Sequence, residues 1–242
     1  MTLPWPSGPH QMRLAKDEIH IWSADLDLNA SRLEFLSGLL SADEQDRAGR
    51  FRFWRDQRRY MAGRGILRLL IGRYHSVGPK AIKFLYSKYG KPYLPAGNLK
   101  FNVAHCQDLA LFGFCFNADI GVDVECIRTI QDAPGIASRF FSPGENEAFL
   151  AAPVERQTEV FLSYWTLKEA YVKALGLGLS YPLDNFEVSI PENEEPLILA
   201  DHGNNEGAAN WSLFSLSPQP GCAAAVAAHG NNWRLIVQKF AS

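Results

Sequence analysis

The sequence predicts an α+β protein built in two halves. Three observations carry that reading. Strand-like and helix-like segments succeed one another along all 242 residues, and each half shows roughly the same order of them. The length suits one large domain or two of about 100–120 residues. Charge divides sharply. Residues 1–115 hold 17 Lys and Arg against 10 Asp and Glu, a net of +7, while residues 116–242 hold 7 against 16, a net of −9. A basic half suits phosphates and an acidic half suits a metal ion, although the whole chain carries only −2.

Composition excludes several classes. The chain is 47% hydrophobic and 21% charged, close to an ordinary globular protein. No apolar run reaches the 18 or more residues of a membrane span. The stretch MTLPWPSGPHQMRLAKDE lacks the apolar core of a secretory signal, so a cytoplasmic protein is expected. Cys106, Cys115, Cys126 and Cys222 are scattered and form no CxxC, which argues against zinc and for reduced thiols.

In chain order, residues 1–17 read as a Pro-rich polar arm. Ile19 to Ala24 alternates as a strand, and Leu33 to Leu40 reads as a helix. Ser41 and Glu44 form a capping box, so a helix starts there. It is expected to run on through RAGRFRFWRDQRRYMAGRGILRLLIGRY, weakened at Gly63 and Gly65. Gly78-Pro79 is a turn. Ile82 to Tyr86 reads as a strand, followed by the loop SKYGKPYLPAGN. Leu99 to Val103 and Leu109 to Phe116 are strands, the second apolar enough to be buried on both faces.

Ile120 to Cys126 alternates, with Val122 and Val124 on one face and Asp123 and Glu125 on the other. Ala133 to Arg139 and Pro143 to Ala151 read as helices. The stretch from Phe161 reads as one helix stopped by Gly176 and Gly178, with Pro182 beyond. Phe186 to Ile190 is a strand and Pro191 to Gly207 a polar loop. Trp211 to Leu216, Cys222 to Ala228 and Leu235 to Lys239 are three closing strands. The shared order of elements in the halves is consistent with an internal duplication.

Four features point to chemistry. Asp123 and Glu125 present two hard oxygen ligands on one side of a strand, a set that suits Mg²⁺; an edge strand with a solvated face would look the same. Trp165, Glu169 and Lys173 are spaced four apart on one helix face, either as an ordinary ion pair or as a third carboxylate beside an ammonium for phosphate. His105 ends the strand FNVAH. Nine arginines lie between Arg47 and Arg73 with only Asp56 among them. Beyond these, Lys88-Tyr-Gly90-Lys91-Pro92 reads as a tight basic turn whose backbone amides are open to a phosphate. Together they indicate chemistry on a phosphate ester or anhydride. A different Mg²⁺-dependent phosphotransferase or nuclease, and a nucleic-acid-binding module built on the arginines with Phe51, Phe53 and Trp54, remain alternatives.

With these motifs in order, the chain resembles the 4′-phosphopantetheinyl transferases of the Sfp type. The resemblance rests on Gly90-Lys-Pro92, Phe101-Asn-Val-Ala-His105, Ile120-Gly-Val-Asp-Val-Glu125 and Trp165-Thr-Leu-Lys-Glu-Ala-Tyr-Val-Lys173, with Arg47, Phe51 and Met61-Ala-Gly-Arg64 upstream. It covers about residues 40–190. It implies two similar α/β lobes forming a pseudo-dimer in one chain, residues 1–116 and 117–242, with the active site in the cleft between them. The basic lobe would meet the phosphates of coenzyme A and the acidic lobe would hold Mg²⁺. The implied reaction moves phosphopantetheine from coenzyme A to a serine of an apo acyl or peptidyl carrier protein, leaving adenosine 3′,5′-bisphosphate.

By the same resemblance Asp123, Glu125 and Glu169 are metal ligands and Glu169 is also the general base. Lys173 stabilises charge on the pyrophosphate, and His105 contacts phosphate. Arg47, Lys88, Gly90, Lys91, Ala104, His105 and Lys173 are the coenzyme A contacts, with Arg64 at a further matching position. Ala104 stands where a serine is common, and Glu44 where some members carry a basic residue. The expected protein is a monomer whose partners are coenzyme A and a carrier protein, without nucleic acid or membrane.

Overall fold

A computed structural model describes residues 5–8, 12–95, 97–191, 194–203 and 207–241. Strand β1 (Glu18–Asp25) is buried along all but its last residue. It pairs antiparallel with β5 (Leu109–Phe116), which pairs antiparallel with β4 (Leu99–Cys106). The fourth member is β11 (Arg234–Lys239), parallel to β1, so the order is β11-β1-β5-β4. The third of the expected closing strands therefore returns to the first sheet. The double-sided burial foreseen for β5 is present over its first seven residues.

One face of this sheet is covered by α1 (Ala30–Ser37), α2 (Ala42–Gly49) and α3 (Trp54–His75), with Trp22, Leu36, Ile66, Leu70 and Phe112 at the core. Asn29 caps α1 by accepting from the Arg32 amide. The capping box of Ser41 and Glu44 starts α2. The helix does not run on unbroken. The chain leaves helical geometry at Arg50–Phe53, with Phe53 extended, and α3 starts afresh. Gly65 is no weak point. A Cβ there would stand 2.7 Å from Leu36 Cβ, so glycine lets α1 cross α3 closely.

The other face packs on a second sheet of β6 (Ile120–Cys126), β10 (Cys222–His229) and β9 (Trp211–Leu216), all antiparallel. Ile19, Ile21 and Leu111 meet Val122, Val124 and Val226 there. Asn102 Oδ1 accepts from the Val122 amide at 3.0 Å, fixing β4 beside β6 at the joint between the sheets.

Behind β6 and β10 lies α6 (Val154–Leu175), with α4 (Ala133–Phe140) and α5 (Pro143–Ala151). Helix α6 begins earlier than the sequence indicated, directly after Pro153, and stops at Gly176 in left-handed geometry. A buried ion pair locks α5 to α6. Lys168 Nζ lies 2.6 Å from Glu145 Oε1 and also donates to Phe186 O, while Glu145 accepts from the Val188 amide.

Strand β7 (Phe186–Ser189) pairs with β8 (Leu197–Asp201), a strand inside the stretch read as a polar loop. The apolar residues Leu197 and Ile198 sit between Glu and Asp neighbours that hid them. Residues 192–193 and 204–206 of that loop, like 1–4 and 9–11 of the expected arm, lie outside the described residues. The strand expected from Ile82 shrinks to β2 (Leu85–Tyr86), which pairs with β3 (Pro92–Tyr93). Among the described residues no helix is long and apolar enough to cross a membrane.

Candidate active site

Close packing of α6 on β6 builds the site. A Cβ on Gly121 would collide with Ala170 O and Ala174 N and lie 2.9 Å from the Lys173 carbonyl carbon. Only glycine brings helix backbone and strand so near. That contact sets Lys173 Nζ 2.5 Å from Asp123 Oδ1. Asp123 is 5% exposed, and its other oxygen, Oδ2, is buried with no hydrogen-bond partner among the described residues.

Burial shifts all three carboxyls upward. Asp123 is raised by desolvation against the pull of Lys173. Glu125 is raised by desolvation and then by the Asp123 charge, and Glu169 likewise. The three therefore share one electrostatic environment, as like charges brought together do. Among the described residues no group of three or more His, Cys, Asp or Glu side chains is drawn together tightly enough to be a preformed metal cage.

These residues line an open cavity of about 810 Å³, within the range of small-molecule sites. Asp123, Glu125, Glu169 and Lys173 come to it from β6 and α6, Arg47, Arg59, Tyr60 and Arg64 from α2 and α3, and Ala104 and His105 from the end of β4. Seven of the sequence-derived residues are thus together: Arg47, Ala104, His105, Asp123, Glu125, Glu169 and Lys173. Ala104 itself is buried and His105 exposed.

The turn departs from expectation. Lys88, Gly90 and Lys91 do not line the cavity, although Pro92 does. Lys91 Nζ donates to Ile120 O and Ala174 O, both at 3.0 Å, and so braces the start of β6 and the end of α6. The turn amides are not open either. Those of Tyr89, Gly90 and Lys91 all donate to Ser87, through its hydroxyl or its carbonyl. Gly90 has φ +83, which explains the glycine.

Glu44 does not stand in the cavity as a stray negative charge. It is 1% exposed and lies 2.6 Å from both Arg64 Nε and Arg68 Nε. Arg64, held this way, lies over the Phe84 ring at 4.0 Å and lines the cavity.

Tyr60 was not singled out from the sequence. It lines the cavity beneath Arg47, whose guanidinium lies 5.5 Å from its ring centre, and its hydroxyl is buried without a partner among the described residues. The available signal was position: Asp56, Tyr60 and Arg64 fall four apart on α3.

Comparison with known proteins gives a consistent result. Residues 119–228 match a family model described as the 4′-phosphopantetheinyl transferase superfamily, and residues 27–113 match one described as 4′-phosphopantetheinyl transferase, N-terminal. The chain is 39% identical to the 4′-phosphopantetheinyl transferase HetI of a Nostoc species, over 95% of both chains. It is 31% identical to the 4′-phosphopantetheinyl transferase Sfp of Bacillus subtilis, over 72% of this chain and 77% of that protein. A holo-(acyl-carrier-protein) synthase of Bacillus anthracis, solved in complex with coenzyme A, is 20% identical over 47% of this chain and 96% of that one, with a TM-score of 0.39.

Proposed function

The chain belongs to the 4′-phosphopantetheinyl transferases of the Sfp type, and from that membership we infer how its cavity carries out the reaction. The enzyme moves the 4′-phosphopantetheine group of coenzyme A to a serine of an apo acyl or peptidyl carrier protein. The products are holo carrier protein and adenosine 3′,5′-bisphosphate. The observation that carries the site assignment is that Asp123, Glu169, Lys173 and Arg47 line one cavity.

The assigned architecture is a pseudo-dimer, residues 1–116 and 117–242, with β11 crossing back to the first lobe and coenzyme A bound in the cleft. Arg47 and His105 take its phosphates, Ala104 contributes backbone, and the Tyr60 hydroxyl donates to it. Lys88 and Gly90 border its path, with Lys91 acting through the turn and helix end that it braces.

The donor set fits Mg²⁺. An orphaned buried oxygen on Asp123, with Glu125 and Glu169 in the same field, offers hard ligands, and Mg²⁺ commonly takes only one or two carboxylates beside water and substrate phosphate. Asp123, Glu125 and Glu169 would hold it. When bound, it supplies charge neutralisation and orientation of the pyrophosphate.

Glu169 accepts the proton of the serine hydroxyl as its oxygen attacks the β-phosphorus. General-base help of this kind is worth about 10²–10⁴-fold. The bond between that phosphorus and the bridging oxygen breaks, and adenosine 3′,5′-bisphosphate leaves with its charge held by Lys173 and His105. The protein acts as a monomer in the cytoplasm, with no nucleic-acid or membrane partner. The test is Asp123→Ala, incubated with coenzyme A, Mg²⁺ and apo carrier protein. Loss of the phosphopantetheine mass gain on the carrier at all Mg²⁺ concentrations is expected, and near-normal transfer would overturn the metal assignment.

A further inference from the structure

Three of the four thiols form a line across the joint between the sheets. Cys126 ends β6 and stands opposite Cys222, the first residue of β10. At the next pair, the Ile127 amide donates to Gly221 O at 2.7 Å. Cys126 and Cys222 thus occupy a non-hydrogen-bonded position, where facing Cα atoms lie about 4.5 Å apart and side chains are closest. Their sulfurs are 3.8 Å apart. A disulfide spans Cα separations of about 4.4–6.8 Å, so little backbone movement is needed to close this pair.

The Cys126 amide points the other way, to Cys106 Sγ at 3.0 Å. Cys106 is partly exposed, whereas Cys126 and Cys222 are buried. Cys106 and Cys126 both line a second cavity, of about 580 Å³, that opens to solvent. The Cys106 sulfur also lies 3.9 Å from Glu125 Oε2. Solvent, the accessible thiol, the central thiol and the buried thiol therefore follow in order, and the accessible thiol lies beside a carboxylate of the site.

We propose that Cys106, Cys126 and Cys222 are an oxidative modification site, at which hydrogen peroxide enters at Cys106 and leaves a Cys126–Cys222 disulfide. The Cys106 sulfur attacks a peroxide oxygen, the O–O bond breaks, and Cys106 sulfenic acid and water result. The Cys126 sulfur attacks the sulfenic sulfur. The displaced hydroxide takes the Cys126 proton and leaves as a second water. The Cys222 sulfur then attacks the Cys126 sulfur, and Cys106 departs as a thiol carrying the Cys222 proton. Two thiols are oxidised and one peroxide is reduced to two waters. Closing the bond shortens the sulfur separation from 3.8 Å to about 2.0 Å. Side-chain rotation closes the bond with little backbone movement, and the turned Cys126 side chain alters its packing with Cys106 and so displaces the Glu125 carboxylate that Cys106 touches. Misplacement by about 1 Å costs on the order of 10²-fold in rate, which sets the expected loss of transfer.

The test treats the full chain with hydrogen peroxide, alkylates free thiols, digests with trypsin and chymotrypsin, and maps the peptides by mass. A linked pair of Cys126 and Cys222 peptides, two hydrogens lighter than the free thiols, is expected. Cys115, sealed in the core with its thiol pushed up to about 12 by burial, stays reduced. Transfer falls with the linkage and returns with dithiothreitol. Cys222→Ser forms no such linkage and accumulates a Cys106–Cys126 disulfide instead, and Cys106→Ser fails to form the linkage in the time the parent completes it. Free Cys126 and Cys222 after full treatment, linkage at the parent rate in Cys106→Ser, or unchanged transfer by the linked protein would each overturn the proposal. The mapping reads thiol chemistry directly, so its outcome is independent of the coenzyme A assignment.

Discussion

Lys173 Nζ stands 2.5 Å from Asp123 Oδ1, joining the last turns of α6 to the middle of β6. The ammonium is a third exposed and the carboxylate nearly sealed. Lys173 therefore both neutralises a buried acid and faces the cavity, where the proposed reaction would develop leaving-group charge. Lys173→Met is expected to lower the single-turnover transfer rate by about 10²–10³-fold, the scale of losing one oriented donor to developing charge. Rapid-quench measurement at saturating coenzyme A would check this. An unchanged rate would mean that Lys173 only balances Asp123.

That pair depends on a contact made by backbone. Gly121→Ala adds one methyl where Ala170 O and Ala174 N already stand, and helix backbone cannot swing aside as a flexible side chain can. Overpacking of this kind costs about 1–3 kcal/mol. Thermal unfolding should show that loss, and transfer should fall about 10²-fold as α6 moves off β6. A stable variant with normal transfer would show that the spacing of helix and strand is not what aligns Glu169 and Lys173.

Glu44 carries a pH dependence. Burial works to raise its carboxyl, but Arg68, the Ser41 amide and Arg64 together outweigh that and hold it below the ordinary 4.5. A carboxyl depressed in the folded state contributes stability that is complete above the unfolded value and is lost as pH falls through the folded one. Glu44→Gln leaves Arg68 buried beside a neutral partner and should cost about 3–5 kcal/mol near neutral pH. The deficit should shrink as the pH of a urea titration is taken below 4.5. A deficit that stays constant with pH would count against the ion pair as its source.

Much of this was legible in the sequence, for physical reasons that differ by element. Alternation in β6 and the four-residue spacing of Glu169 and Lys173 depend only on local geometry, so both survive folding. The pairing of β11 with β1 is a parallel contact across most of the chain, and no local pattern encodes it. The break at Arg50–Phe53 carries no proline, and Phe51 is drawn instead onto the Tyr60 ring at 5.3 Å. The sequence marks the turn that holds Lys91, but the direction of its side chain is set by two carbonyls at the end of α6 and the start of β6. Glu44 showed its capping role in sequence, while its hold on Arg64 and Arg68 needed the packing of α2 on α3.

Tyr60 separates ligand binding from folding. Its hydroxyl is buried at the cavity wall with no partner among the described residues, and burial raises its pKa, so it remains a neutral donor. An unsatisfied buried polar group costs about 1–3 kcal/mol, so Tyr60→Phe should leave the ligand-free protein as stable as the parent or more so. If the hydroxyl donates to a coenzyme A phosphate, its removal should weaken coenzyme A binding about tenfold, the equivalent of 1.4 kcal/mol. Calorimetric titration with coenzyme A, beside thermal unfolding without it, reads the two effects separately. Weaker binding at unchanged or higher stability assigns the hydroxyl to the substrate. Unchanged binding would detach Tyr60 from the site, and lower stability without ligand would mean that the hydroxyl is satisfied within the fold.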